Sequence, residues 1–285
     1  MSGKLANLCE LHCHLDGSLR AETFLELLSA AKLETDAAAV DIGGAGGDGV
    51  PAADADALTF ETVDDVRTKL AFQDGWDLPR CLQSFAYTLM VLQSAENLER
   101  VACECACDCA DDGCSYAEIR YCPSLHRSGG LGDAAIVAAV AAGLRKAAAE
   151  RPGATFKQII TCLRDFGPEE ALVMTKLAVA SPKEDLVVGV DLAGNEVTTM
   201  LVLLLVLLLL VLTRALPLQF AHPPAKFVAA FEYAFENGMA ITIHAGEGPT
   251  DTTTQHVKDA VELLHAVRTD PCCSSLKQSP LFILK

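Results

Sequence analysis

Short apolar runs alternate along this chain with longer stretches in which apolar residues recur every three or four positions. The first pattern predicts β-strands and the second amphipathic helices. Strand-like runs lie at residues 8–15, 115–121, 155–163, 186–191 and 240–244. Helical periodicity covers 21–33, 78–92, 98–109, 133–150, 168–180, 226–238 and 255–267. In 21–33, Phe24, Leu27, Leu28 and Ala31 share one side; in 133–150, Ile136, Val140 and Leu144 form a stripe. Pro168 followed by Glu169 and Glu170 opens one helix, and Gly238 closes another. Strand, helix and strand in turn predict an α/β fold with a parallel sheet.

Two stretches interrupt this rhythm. Residues 36–57 are Ala, Gly and Asp with little apolar bulk, which predicts a surface insertion. A glycine-rich phosphate cradle is excluded there, because no Gly-Lys-Ser/Thr follows and the segment is acidic. Residues 197–219 contain an unbroken apolar run from Met200 to Leu212, short of the roughly 20 residues a membrane span needs. Valine codons begin GT and glutamine can be encoded CAG, so Val197 and Gln219 stand where a retained in-frame intron would start and stop. That is the reading we expect; a hydrophobic anchor or partner helix is the alternative.

The chain has 285 residues, 51% of them hydrophobic, enough to bury one large core as a single domain. A formal charge of −16 would repel nucleic acid and anionic membranes and leaves a neutral small molecule as the natural partner. The first residues carry no apolar segment behind a basic start, so a secretory signal is not expected and the 12 cysteines are read as free thiols of a cytoplasmic protein. Cys103, Cys105, Cys107 and Cys109, with Cys114 nearby, suggest a thiolate cluster at first sight. Alternate residues on a helix diverge, and Leu98, Val101, Ala102, Cys105 and Cys109 follow helical spacing, so these cysteines are read as small hydrophobes.

The chemistry starts at the first strand. Residues two apart on a strand face the same way, so His12 and His14 present both imidazoles together. Such a pair is either a metal pincer or a polar rim that finds water and backbone partners. A second apolar strand, Ile241-Thr242-Ile243, runs into His244 with Glu247 three residues beyond, which favours the metal.

Taken together, His12-Cys13-His14-Leu15-Asp16-Gly17-Ser18-Leu19-Arg20 and His244-Ala245-Gly246-Glu247 resemble the signature segments of the adenosine deaminase family, in the metal-dependent amidohydrolase superfamily. Asn97-Leu98-Glu99-Arg100, Tyr116-Ala117-Glu118-Ile119-Arg120-Tyr121 and Val188-Gly189-Val190-Asp191-Leu192-Ala193-Gly194 follow in the family's order. The likeness runs from about Leu5 to Arg268, leaving 269–285 as a non-homologous tail.

The resemblance implies a (β/α)8 TIM barrel of the amidohydrolase type, incomplete here, with about five of eight strands and open edges along the first and fifth. It implies one Zn2+ held by His12, His14 and His244, with Glu247 as the proton shuttle. Asp16 and the backbone of Gly194 would hold a purine nucleoside, with His14 nearby; read without the family, Asp16 shapes a turn and Gly194 is a hinge. Asp191 stands where binuclear relatives usually place a modified lysine, which favours a single metal. Phe85 and Tyr87 either line the pocket or pack in the core. The expected activity is zinc-dependent hydrolytic deamination of adenosine or deoxyadenosine. The alternatives are a nucleoside-binding or membrane-associated remnant without activity, and a deaminase of an adenine nucleotide or N6-substituted purine. The family continues into a further catalytic histidine and paired aspartates, and Asp270-Pro271 is read as only a chance likeness to the latter. Cytidine-type deaminases are excluded, because His-x-Glu with Pro-Cys-x-x-Cys is not found in that arrangement.

Overall fold

The computed structural model of the protein describes residues 8–31, 59–71, 78–194, 222–246 and 251–269. The two insertions, Glu247 and the stretch from Asp270 onward lie outside the described residues. Six parallel strands form one sheet in sequence order: β1 (Leu8–His14), β2 (Cys114–Tyr121), β3 (Thr155–Leu163), β4 (Val187–Ala193), β5 (Ala240–Ile243) and β6 (Arg268–Thr269). Parallel neighbours need a crossover. It is supplied by α1 (Ala21–Ala31), α2 (Val63–Leu70), α3 (Leu78–Val91) and α4 (Ala95–Asp111) between β1 and β2. Single helices follow: α5 (Asp133–Glu150), α6 (Gly167–Ala180), α7 (Val228–Glu236) and α8 (Asp251–Glu262). Among the described residues the result is a curled, partial β/α barrel of the expected class.

Each strand alternates between two surroundings. Ala117, Ile119 and Tyr121 of β2, Phe156, Ile160 and Cys162 of β3, and Val190 and Leu192 of β4 are buried in the core shared with the helices. The intervening positions carry polar groups, among them Glu118 and Arg120 on β2, Asp191 on β4 and Arg268 on β6. Arg268 donates to Glu118 at 3.0 Å and to the Leu11 carbonyl at 2.8 Å, so a side chain from the last described strand reaches the first two. Curvature brings the sheet ends within one arginine's length.

Several expectations need correction. The first strand, whose apolar run would suit a buried position, is partly exposed: Leu8 is 42% and Leu11 38% exposed, and β1 is an edge with β2 as its one strand partner among the described residues. The far edge is β6 rather than β5, since Arg268 and Thr269 pair with Thr242 and Ile243. The last helix runs Asp251–Glu262, earlier than 255–267; His265 at φ +57° turns the chain out of the helix toward β6. Helix α2 had no counterpart in the periodicity reading. Its start was nevertheless written locally: the Thr62 hydroxyl accepts from the Asp65 N–H while the Asp65 carboxylate accepts from the Thr62 N–H, a reciprocal cap. Among the described residues no helix is long and apolar enough to cross a membrane. Nine described cysteines are free thiols, all buried except Cys9.

Candidate metal centre and active site

The site lies at the C-terminal ends of the strands. A β-bulge in β1 shapes it: between the Glu10–Ala117 and Cys13–Ile119 pairs, β1 advances three residues while β2 advances two. The Glu10 carboxylate accepts from the His12 backbone N–H at 2.7 Å, and the Leu11 carbonyl accepts from Arg120 at 2.6 Å. Backbone groups left by the bulge thus find side-chain partners, as buried polar groups must. His12 and His14 emerge on the same side, and the intervening Cys13 turns into the helix layer against Cys105.

His244 follows β5 directly and joins them across 230 residues of sequence. The Nε2 atoms are 3.2 Å apart for His12 and His14, 3.1 Å for His14 and His244, and 3.0 Å for His244 and His12. Protons alone cannot satisfy this triangle, because one N–H can be shared between only two nitrogens. Three nitrogens of one tetrahedral zinc ion would lie roughly 3.3 Å apart, so the tripod fits a single divalent cation. Burial and then the two neighbouring imidazoles push His14 well below the usual histidine range, which keeps its lone pair available.

His244 is held from three sides. Its Nδ1 lies 3.0 Å from an Asp191 carboxylate oxygen; the carboxylate can only accept, so Nδ1 carries the proton and Nε2 faces the other imidazoles. Its backbone N–H donates to the Leu192 carbonyl at 2.9 Å, and its carbonyl accepts from Arg164 at 2.5 Å. Asp191 is fully buried, and accepts from Arg120 at 3.3 Å and from Thr161 Oγ1 at 3.4 Å. Burial alone would raise its carboxyl, but His244 and Arg120 outweigh burial and hold it below the usual range. Asp191 was read from sequence only as the residue replacing a modified lysine. Its observed contact is a hydrogen bond that orients a histidine.

Arg120 was missed as a functional residue. Its guanidinium bonds the Leu11 carbonyl on one side and Asp191 on the other, linking the strand that carries His12 to the carboxylate that aims His244. A signal existed in the sequence: an arginine between Ile119 and Tyr121 in a core strand needs buried acceptors. Arg164, at the end of β3, likewise joins the His222 and His244 carbonyls.

Asp16 sits in the short turn after β1, 5% exposed, and its Oδ1 has no hydrogen-bond partner among the described residues. Burial raises its pKa to about 7, against the pull of backbone N–H groups including that of Gly17. Gly17 makes room for an aromatic ring, since a Cβ there would stand 2.8 Å from Phe85 Cε1. Phe85 in turn lies edge-on to His14 at 6.1 Å between centroids, whereas Tyr87 packs on Phe60 in the core. The two aromatics therefore divide between site and core. Gly194 follows β4 at φ +99°, where a Cβ would meet Asp165 Oδ2 at 2.6 Å, so glycine is required there. Gly246 carries the chain from His244 toward Glu247, which lies outside the described residues.

Comparison with known proteins decides the family. The adenosine deaminase family model matches residues 7–204. An adenosine deaminase of Mycolicibacterium gilvum is 35% identical over 241 residues, covering 83% of this chain and 54% of that protein. This chain belongs to the adenosine deaminase family. An adenosine deaminase of Mycobacterium tuberculosis is 34% identical over 250 residues, covering 86% of this chain and 55% of its own length. The chain thus spans about half the length of the curated family members it matches. Solved structures share the fold: adenine deaminase from Arthrobacter aurescens superposes with a TM-score of 0.67 at 22% identity, covering 97% of this chain and 68% of that one. An amidohydrolase from B. ambifaria with bound Zn gives a TM-score of 0.65 at 23% identity, over 96% of this chain and 60% of the other. Arabidopsis N6-mAMP deaminase gives 0.61 at 21% identity, over 90% of this chain and 64% of the other.

Proposed function

We propose that the site is that of a zinc-dependent hydrolytic deaminase acting on adenosine or deoxyadenosine. The observation that carries this reading is the His12, His14 and His244 tripod, whose nitrogens lie 3.0–3.2 Å apart in a chain of the adenosine deaminase family. A divalent ion held by those three residues supplies Lewis acidity that brings the pKa of a water toward neutrality. Asp191 and Arg120 keep the imidazoles aimed. Glu247 delivers a proton to N1 of the purine while water oxygen adds at C6; one water proton returns to Glu247 and the other passes to N6, so the C6–N6 bond breaks, ammonia leaves, and the keto purine remains.

Asp16 Oδ1, buried two residues after His14 in the chain and without a partner among the described residues, supports recognition of a ribose hydroxyl. Asp16 in its ionised form, populated above its raised pKa of about 7, disfavours a 5′-phosphate, which favours a nucleoside over the nucleotides bound by some solved relatives, such as Arabidopsis ADAL complexed with IMP. The backbone N–H of Gly194, at the mouth after β4, would hold a ring nitrogen of the base.

A second reading is nucleoside binding without turnover. It is favoured by the ligand set itself, since three histidines converge on the metal position among the described residues without a carboxylate as fourth ligand. Zinc content and the adenosine-to-inosine absorbance change, measured on the same preparation, separate the two. The deaminase reading expects stoichiometric zinc, with turnover that Glu247→Gln lowers at least 100-fold, the scale of lost general acid catalysis. Stoichiometric zinc with no turnover in the unaltered chain selects the binding reading.

A further inference from the structure

We infer that Cys13, Cys105 and Cys109 form a second metal site on the opposite face of β1, suited to a soft, thiophilic d10 cation. Strand alternation sends Cys13 away from its neighbours His12 and His14 and into the helix layer. On α4, Cys105 and Cys109 are one turn apart and project on one side. The expectation that alternate cysteines diverge holds for Cys105 and Cys107. It did not foresee that the i, i+4 pair meets a third thiol from β1.

The three sulfurs lie within 4.8 Å of one another, with Cys13 and Cys105 at 3.5 Å. Thiolates on one tetrahedral ion at about 2.3 Å would be about 3.8 Å apart, so small side-chain movements suffice. The Ser18 hydroxyl lies 3.4 Å from the Cys13 sulfur and offers an oxygen as a fourth donor. Purely apolar packing would set each sulfur against carbon; here three sulfurs gather together, with a hydroxyl against one of them. All three cysteines are 5% exposed or less, which keeps competing water out. An all-thiolate set selects soft cations, whereas the imidazole tripod one residue away suits zinc.

Cadmium is the probe, followed by the ultraviolet thiolate-to-cadmium charge-transfer band on the folded full chain. Titration should produce a band that saturates at one thiolate-bound ion per chain. The band should persist in C103A/C107A, which removes the neighbouring thiol pair near Glu150, and in H244A, which weakens the histidine site. Adding C13A, or separately C105A/C109A, to the C103A/C107A background should weaken the thiolate-bound ion at least tenfold. Two routes to the same loss guard against either variant misfolding. No band in the folded wild-type chain, or a band unchanged by both additions, would overturn the inference.

Discussion

Replacing Arg120 by methionine will cost the folded chain about 3–5 kcal/mol, the usual penalty for leaving a buried charge unpaired. Arg120 and Asp191 are both fully buried, 3.3 Å apart, and the same guanidinium satisfies the Leu11 carbonyl in the β1 bulge. Methionine keeps much of the volume but removes one donor from each acceptor, leaving Arg268 as the remaining side-chain donor to the Leu11 carbonyl. His244 and Thr161 remain on Asp191 and limit the damage. Urea unfolding followed by circular dichroism measures the effect as a lower midpoint. Arg127→Met is the control: its pairs with Asp133 and Glu170 are partly solvated, and such pairs contribute about 0–1 kcal/mol. Equal losses for the two variants would show that the buried link carries no special weight.

The second large effect is on zinc. Asp191→Asn should weaken binding about 10–100-fold, the usual effect of removing a carboxylate that orients a ligating histidine. Asparagine is close in shape, but it lacks the charge and its amide can present N–H to His244 Nδ1, favouring the tautomer with the proton on Nε2. His244→Ala, which deletes a ligand, should weaken zinc more than that. Competition against a chromophoric chelator gives both affinities, with circular dichroism confirming that each variant is folded. The order is the decisive feature. If Asp191→Asn leaves affinity unchanged while His244→Ala abolishes it, the hydrogen bond orients nothing that matters to the ion.

The sequence displayed the three histidines of the proposed metal site more openly than the groups that orient them. His12 and His14 were readable because strand alternation is local, and His244 because an apolar strand ran straight into it. The parallel sheet followed from strands and helices in turn, and the barrel from the family resemblance. Arg120, Asp191 and Arg164 act through contacts 53 to 109 residues distant, which no periodicity encodes. The bulge in β1 was equally invisible, since it depends on how β2 pairs, although Glu10 two residues before His12 is the side chain that satisfies it. Strand β6 escaped notice because two residues make no pattern. The cysteines show the opposite failure: helical spacing was read correctly for α4 alone, and the partner that converts a hydrophobic stripe into a sulfur cluster came from β1.

Anomalous diffraction at the zinc edge, from crystals of the protein grown with zinc, tests the tripod most directly. The account predicts a peak about 2.0–2.1 Å from the Nε2 atoms of His12, His14 and His244 together. Well-ordered histidines with no peak between them, or a His244 ring turned away from the pair on β1, would contradict it.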